Sequence, residues 1–283
     1  HKLQDYGPYG FAEEGPIYDS RIMDVCSEAR FGELFDFDEK LCEKAAECGH
    51  RSFVIMAGAL DGKAVEARQY SHEDVTGVGY GICSFLPKGD DESRHFLAMR
   101  LKHAKEDIER KKQVSDAYAR LARASAEFFV RNGHVMPLPD WVPNELLNAR
   151  AGAFVSIHKF GELRGCIGTI SPVCENIALE IIRNAVSAVS EDPRFEPVKE
   201  DELSYLDISV DVLGEAERIG SEAELDARKY GVIVQSGSKR GLLLPDLDGV
   251  DTVRQQIEIA KRKGGISAGD EVDLFRFEAV RHY

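Results

Sequence analysis

An arginine and a cysteine lie two residues apart, with two glycines near them, in the segment Leu163-Arg164-Gly165-Cys166-Ile167-Gly168-Thr169. A thiol beside a positive charge can have a lowered pKa, and the thiolate is the reactive form of cysteine. Glycine inside a strand often marks a bulge or the close approach of a backbone or a ligand. The segment therefore indicates a functional surface, whereas Cys166 taken alone is more typical of a buried thiol that only fills space.

Two strands are expected to position these side chains. The residues from Phe154 to His158 and from Leu163 to Ile170 flank a short loop and predict a β-hairpin. The apolar side chains expected to share its core face are Val155, Ile157, Leu163 and Ile167. This grouping requires an odd loop of about three or five residues, because opposite partners in an antiparallel pair lie on one face. The polar side chains then left together on the outer face are Ser156, His158, Arg164 and Cys166.

The outer face of the hairpin is a candidate catalytic site. His158 can act as a base for the Cys166 thiol, and Arg164 can bind a carboxylate or a phosphate. The alternative is a solvated sheet face with an ordinary histidine, because the sequence does not fix the geometry of a nucleophile and its base.

A second polar segment, Glu191-Asp-Pro-Arg-Phe195, follows a predicted helix. It either presents Asp192 and Arg194 beside the hairpin, as further candidate catalytic residues, or ends the helix with a surface ion pair worth under ~1 kcal/mol. The polar residues that recur at helical spacing on that helix, and that are expected to form a solvated face, are Asn176, Glu180 and Asn184.

The patterning divides the chain into residues 1–88, with mixed helices and strands, a charged helical linker over 89–113, and a strand-rich zone over 114–283. In the first zone Asp19 is expected to cap a short helix, and Arg51 to Leu60 is either a strand or a buried helix. In the last zone a helix is expected to begin at Ser171-Pro172, and Leu206 to Val212 alternates as a half-buried strand. The expected class is α/β (α+β).

The composition excludes some classes of protein. A chain of 283 residues has room for two domains. Its net charge of −14 argues against a protein that coats nucleic acid, because such binding neutralises phosphates with Lys and Arg. No apolar run approaches the ~20 residues of a membrane span. The six cysteines form no CxxC pair, which favours reduced thiols in the cytoplasm. Because the chain begins at His1, a processed product or a fragment is expected.

Three segments of the last zone belong together: Leu163 to Thr169, Asp192-Pro-Arg-Phe195 and Arg240-Gly-Leu-Leu-Leu-Pro245. They resemble the AMMECR family, also labelled protein A of the AmmeMemoRadiSam system, and the resemblance extends over about Val114 to Tyr283. It implies an antiparallel sheet flanked by helices. The activity of that family is not established, so the resemblance identifies a domain without naming a reaction. The label of the system implies a radical SAM protein as a partner.

The first zone carries a different set of motifs: Tyr6-Gly-Pro-Tyr-Gly-Phe11, Glu14-Gly-Pro-Ile-Tyr-Asp19, Glu47-Cys-Gly-His-Arg-Ser52 and Gly77-Val-Gly-Tyr-Gly81. They resemble the C-terminal part of the LigB-type class III extradiol dioxygenases, which are related to the Memo proteins. Members of that family hold ferrous iron with two histidines and a carboxylate, and they use a further histidine as acid and base. The resemblance assigns Glu47 as the carboxylate ligand. It matches His1 to the acid–base histidine, although His1 is equally typical of the end of an affinity tag.

The resemblance places the two histidine ligands before His1. One carboxylate without them cannot hold iron in the open, three-ligand arrangement that binds oxygen and substrate. We therefore expect ferrous iron in an intact parent protein and none in these 283 residues. The local histidines, whose spacing matches no known metal motif, are His50, His72 and His95.

Three functions follow as alternatives. The intact parent can be an iron-dependent oxidoreductase fused to an AMMECR domain, acting with a radical SAM protein on an unknown small or macromolecular substrate. The domain can instead be a binding or adaptor module that uses the face of Arg164 and Cys166. In the third alternative the domain is a scaffold, and its glycines serve the fold.

Overall fold

The computed structural model describes residues 11–75, 77–247, 249–267 and 269–283. The chain divides into two compact units, His1–His103 and Ala104–Tyr283. Each unit combines helices with antiparallel strands, so the predicted α+β class is confirmed. Among the described residues, no helix has the length and apolar character that crossing a membrane requires.

The first unit packs helices on one face of a two-stranded antiparallel ribbon. Its helices and strands are α1 (Glu14–Ser27), α2 (Glu39–Lys44), α3 (His50–Ala59), β1 (Lys63–Val75) and β2 (Val78–Asp90), followed by α4 (Phe96–Val114), which continues into the second unit. The core of this unit includes Tyr18, Phe31 and Leu34, all fully buried. The segment from Arg51 to Leu60, left open between strand and helix, is helical.

The expected cap at Asp19 is wrong. Helix α1 begins at Glu14, so Asp19 lies inside the helix, where it is buried and pairs with His72 of β1. The apolar positions Tyr18 and Ile22 on both sides of it face the core, which turns this stretch of the helix inward. Residues Tyr6 to Gly10 of the first LigB-like motif lie outside the described residues.

The second unit contains two four-stranded sheets. The remaining elements are α5 (Ala117–Asn132), α6 (Asn144–Asn148), β3 (Ala153–Lys159), β4 (Glu162–Gly168), α7 (Ile177–Ser190), β5 (Leu206–Leu213), β6 (Glu217–Ile219), β7 (Gly231–Ser236), β8 (Lys239–Leu243), α8 (Val253–Lys263), β9 (Asp273–Phe277) and β10 (Ala279–His282). The strand order is β10-β5-β3-β4 in the first sheet and β6-β9-β7-β8 in the second.

One face of the first sheet forms the main core. Val155 and Ile157 of β3 are completely buried, and they pack with Val210 of β5 and with apolar residues of α5 and α7. This confirms the alternation predicted for β3 and β5. Asp116 caps helix α5, because its carboxylate accepts hydrogen bonds from two backbone N–H groups of the first turn.

The opposite face of the first sheet meets the second sheet. Phe154 and Leu213 pack in one apolar cluster with Ile233, Leu242 and Phe277 of the second sheet. Helix α8 covers the far side of the second sheet, in a cluster that includes Ile257 and Ala260. The polar residues of β3, β4 and β5 that share the face of Phe154 are thus turned toward the second sheet.

Candidate functional site

The β3–β4 hairpin closes with a two-residue turn, Phe160-Gly161, in which both residues have positive φ angles of 55° and 88°. The predicted odd-length loop is therefore wrong. A bulge follows the turn: His158 lies opposite Leu163, and Ile157 lies opposite Gly165, so Arg164 is the extra residue. Beyond the bulge, Ser156 lies opposite Cys166, so these two side chains share one face of the sheet, as predicted.

The bulge changes the predicted grouping at two residues. Leu163, expected in the core, shares the face of His158 and is 37% exposed. Arg164 does not lie beside Cys166. Its guanidinium binds both carboxylate oxygens of Glu202, at 2.9 and 3.1 Å, on the helix-covered side where Lys159 also binds Glu202. Arg164 therefore anchors β4 to the segment that follows α7.

The segment after α7 holds the free edge of β4 at Cys166. One carboxylate oxygen of Asp192 accepts the backbone N–H of Cys166 at 2.9 Å, and Arg194 donates to the Cys166 carbonyl at 3.3 Å. The same two side chains form a bidentate ion pair at 2.7 and 2.9 Å. Asp192 and Arg194 thus lie beside the hairpin, which is the arrangement that the functional interpretation of this segment required.

Asp192 and Arg194 differ in exposure. The Asp192 side chain is 2% exposed, and the hydrogen bonds from Arg194 lower its pKa to about 2. The Arg194 side chain is 51% exposed, and its hydrogen bonds to Asp192 raise its pKa. Asp192 is therefore a fixed anion committed to the Cys166 backbone, whereas part of the Arg194 guanidinium remains open to solvent.

The Cys166 sulfur accepts a hydrogen bond from the Ser156 hydroxyl at 3.3 Å. This contact comes from Ser156 and not from His158, which lies two residues further along β3. Burial raises the pKa of the Cys166 thiol, although Ser156 and the charges of Arg194 and Lys263 oppose the effect. The expectation of a thiol with a lowered pKa is therefore wrong, because desolvation outweighs the nearby cations.

We define the Cys166 face as Ser156, Cys166, Ser209 and Asp211. The pairings Ser156↔Cys166, Ser156↔Ser209 and Phe154↔Asp211 place these side chains on the side of the sheet that Phe154 occupies. Asp211 is buried and paired with Arg281 of β10, at 2.8 Å. The face thus combines a hydroxyl pair, a neutral thiol and a neutralised carboxylate beside the apolar contact between the sheets.

Two of the three polar residues expected on a solvated face, Glu180 and Asn184, are instead buried. Glu180 is completely buried and accepts hydrogen bonds from the Thr169 hydroxyl and from the N–H groups of Val173 and Cys174, at 2.5, 2.9 and 2.8 Å. These hydrogen bonds lower its pKa despite burial. Asn184 is also buried and donates to the Ala153 carbonyl at 2.8 Å. Glu180 thus supplies the acceptor that the backbone amides of the loop after β4 need, whereas Asn184 ties α7 to β3.

The loop held by Glu180 also replaces the predicted start of α7. The helix begins at Ile177 and not at Ser171-Pro172, and Asn176 caps it by accepting the N–H of Leu179. The asparagine satisfies an N–H of the first turn that a proline start would have left to solvent.

In the first unit Glu47 lies three residues before the first residue of α3. One carboxylate oxygen accepts the backbone N–H groups of Gly49 and His50, at 2.8 and 2.6 Å. No group of three or more His, Cys, Asp or Glu side chains in the described part of the chain is arranged to hold a metal ion. The described residues alone do not fit a three-ligand iron site, and His1 lies outside them.

The three local histidines of the first unit are used within the fold. His50 donates to the Leu34 carbonyl at 2.9 Å and accepts from the Tyr18 hydroxyl at 3.2 Å. His72 pairs with Asp19, and His95 pairs with Asp61 at 3.2 Å and with Glu92 at 3.1 Å.

Sequence reasoning missed several residues around Cys166. Asp211 and Ser209 were visible as the polar half of an alternating strand, but the sequence did not show which element that half would face. Lys263 and Glu202 had no local signal, because their contacts to the hairpin join elements far apart in the chain.

The raised pKa of Cys166 predicts slow alkylation. With iodoacetamide, followed by peptide mass spectrometry, Cys166 should react more slowly than Cys48, which is exposed. The pH midpoint of the Cys166 reaction should lie above the ordinary thiol value of about 8.5. In the Arg194→Gln variant this midpoint should move further up, because one stabilising charge is lost. A Cys166 that reacts as fast as Cys48, with a midpoint below that value, would contradict this assignment.

Comparison with protein families agrees with these two units. Residues 119–282 match the family model described as AMMECR1, and residues 1–83 match the model described as the catalytic LigB subunit of aromatic ring-opening dioxygenase. A crystal structure of an uncharacterized protein from Pyrococcus horikoshii covers 60% of this chain and 91% of its own, with 27% identity and a TM-score of 0.56.

Two curated relatives show how the parts combine. A protein of Clostridium acetobutylicum is 42% identical over all 283 residues, and the chain spans 60% of its length. A Thermotoga maritima protein is 50% identical over 167 residues, which are 58% of this chain and 96% of that protein. The chain thus matches one relative along its whole length and matches nearly the whole of a shorter one along 58% of its own length. The chain belongs to the AMMECR1 family, and a LigB-family region precedes its AMMECR1 domain.

Proposed function

We propose that the AMMECR1 domain is a binding domain that holds a small molecule against the Cys166 face, with Cys166 as a contact and not as a nucleophile. The observation that supports this most is the Ser156 hydroxyl bound to the Cys166 sulfur, next to the half-exposed guanidinium of Arg194. A neutral thiol and two hydroxyls provide hydrogen bonds to a ligand at low electrostatic cost.

The same contacts weigh against catalysis by the thiol. A nucleophilic cysteine needs a lowered pKa or a base within hydrogen-bond distance of its sulfur. Burial raises the pKa of Cys166, and its sulfur is bound to a hydroxyl. His158 and Arg164, named as its base and its anion-binding neighbour, contribute neither effect at the sulfur. Arg164 is engaged with Glu202.

For the longer polypeptide we propose an iron(II)-dependent oxidoreductase of the extradiol dioxygenase or Memo type, located in the LigB region, with a radical SAM protein as partner. Support comes from the LigB match and from the greater length of the Clostridium acetobutylicum relative. Glu47 would contribute a carboxylate ligand there, and His1 an acid–base group. The six free cysteines favour a cytoplasmic protein. An adaptor role, in which the Cys166 face binds a partner protein, is the second candidate.

Native mass spectrometry of the anaerobically purified chain tests the binding proposal. The wild type should carry a small molecule. In Ser156→Val and in Arg194→Gln, the fraction of chains that carry it should fall about 10-fold or more, as expected when a hydrogen bond to a polar or charged group is lost. The matched control is Arg254→Gln, an exposed arginine on α8 paired with Glu258. If the wild type carries no molecule, or if all variants carry it equally, the proposed binding face is wrong.

A further inference from the structure

Arg194 and Lys263, which come from different elements, lie near the Cys166 sulfur, and Arg240 lies on the strand against which the helix of Lys263 ends. Arg194 lies in the loop after α7, Arg240 on β8, and Lys263 at the end of α8. The charge of Lys263 acts on both the Cys166 thiol and the Arg194 guanidinium. Two like charges thus lie within electrostatic range of each other and of one half-buried sulfur.

The end of α8 is fixed beside Arg240 by a backbone contact that only glycine allows. A Cβ atom on Gly241 would lie 1.9 Å from the Ala260 carbonyl oxygen. A Cβ atom on Gly264 would lie 2.7 Å from the Gly241 nitrogen and 2.9 Å from the Arg240 carbonyl carbon. The position of Lys263 relative to β8 therefore follows from the packing of the backbone and not from a flexible loop.

Strand register places Arg240 on the side of the second sheet that faces the first. Gln235 lies opposite Arg240, and Ile233 lies opposite Leu242. Because alternate residues share a face, Arg240 lies on the face of Leu242, whose side chain packs with Phe154 of the first sheet. Arg240 is exposed at the end of that contact.

The nearby acids that the structure describes leave two of these three cations unpaired. Asp192 is committed to Arg194 and to the Cys166 backbone, and Asp211 is paired with Arg281. Within the residues that the structure describes, neither Arg240 nor Lys263 has an ion-pair partner. A local excess of positive charge in a chain of net charge −14 is an arrangement that a bound anion would complete.

We propose that Arg194, Arg240 and Lys263 form an anion-binding end of the Cys166 face, which takes a small molecule with a phosphate or carboxylate group at one end and an apolar group at the other. This inference rests on the proposed function and names its ligand class. The oxyanion would lie between the three cations. The apolar part would lie toward the contact of Phe154 and Leu242, where the two sheets meet.

Phenyl phosphate, benzoate and phenol are suitable probes, since they share a ring and differ in the charged group. Each is titrated into the full chain by calorimetry and, independently, as a protector of Cys166 against iodoacetamide, which is itself uncharged. We expect binding and protection by phenyl phosphate or benzoate and none by phenol. The stronger of the two anions identifies the oxyanion as phosphate or carboxylate. Inorganic phosphate should bind more weakly than phenyl phosphate.

Two variants and one matched control distinguish a specific anion-binding site from nonspecific electrostatic attraction of the anion. Arg240→Gln and Lys263→Gln should each weaken binding of the better anion about 10-fold or more, as expected for a lost charged hydrogen bond. Arg262→Gln removes the same charge from the adjacent, exposed residue of α8 and should change affinity less than about 2-fold. Because Arg262 and Lys263 both lie in the last turn of α8, this control also accounts for the ordinary stabilisation of a cation at a helix C-terminus.

The proposal is overturned if neither anion binds the wild type, or if Arg262→Gln weakens binding as much as Lys263→Gln does. These outcomes can be told apart from failure of the proposed function. A molecule that co-purifies with the wild type and is lost in Ser156→Val would keep the binding face and reject only the anionic ligand class.

Discussion

Gly165→Ala is expected to destabilise the AMMECR1 domain by about 3 kcal/mol or more, or to prevent it from folding. A Cβ atom at this position would lie 2.2 Å from the carbonyl oxygen of Ala188 in α7. The obstacle is backbone of the last turn of α7, so neither side can move without breaking the contact between α7 and β4. The glycine of the signature segment thus serves the packing that holds Cys166 in place.

Urea unfolding followed by tryptophan fluorescence measures this effect, because Trp141 is the single tryptophan and lies in the second unit. The matched control is Gly269→Ala, where an added Cβ has no atom within 4 Å and the backbone needs no left-handed conformation. Equal urea midpoints for the two variants and the wild type would show that α7 and β4 do not approach as closely as described.

Glu202→Gln is expected to cost about 3 kcal/mol at neutral pH, since each pKa unit corresponds to about 1.4 kcal/mol. The Glu202 side chain is 12% exposed and binds Arg164 and Lys159. The hydrogen bonds from Arg164, and then that from Lys159, lower its pKa from 4.5 to about 2. The neutral amide would leave the two cations, which are 17% and 28% exposed, without their shared anion.

The sign of the pH dependence follows from the lowered pKa. The stabilisation by Glu202 is fully present above the pKa of the unfolded carboxyl, near 4.5, and is lost as the pH falls toward 2. The difference in unfolding free energy between wild type and Glu202→Gln should therefore shrink between pH 4.5 and 2. Glu200→Gln, at a side chain 73% exposed, is the matched control and should change stability little. A difference that stays constant across this range would contradict the role given to Glu202.

The sequence predicted the strands of the site better than their register. Alternating apolar residues identified β3 and β5, and the prediction that Ser156 and Cys166 share one face is confirmed. The bulge at Arg164 could not be seen, because an extra residue in one strand leaves the same residues apolar. The tight turn was equally hidden, since an aromatic residue such as Phe160 rarely adopts a positive φ.

Buried polar groups were the other failure of sequence reasoning. Residue type alone places Glu180 and Asn184 in solvent, whereas Glu180 accepts a backbone N–H of the loop after β4 and Asn184 donates to the Ala153 carbonyl of β3. The expected neighbours were also wrong for a similar reason. Arg164 binds Glu202, and it is Arg194 that lies beside Cys166. Which arginine reaches which carboxylate depends on the packing of α7 and the segment after it, and neither spacing nor residue type encodes that distance.

In the proposed binding site, Cys166 contacts a ligand without forming a covalent bond to it. The most direct measurement compares native and denaturing mass spectra of one anaerobic preparation, together with Cys166→Ser. We predict a small molecule in the native spectrum, the bare mass of the chain after denaturation, and retained binding in Cys166→Ser. A mass adduct that survives denaturation and maps to Cys166, and that is absent from Cys166→Ser, would contradict the account and make this thiol a nucleophile.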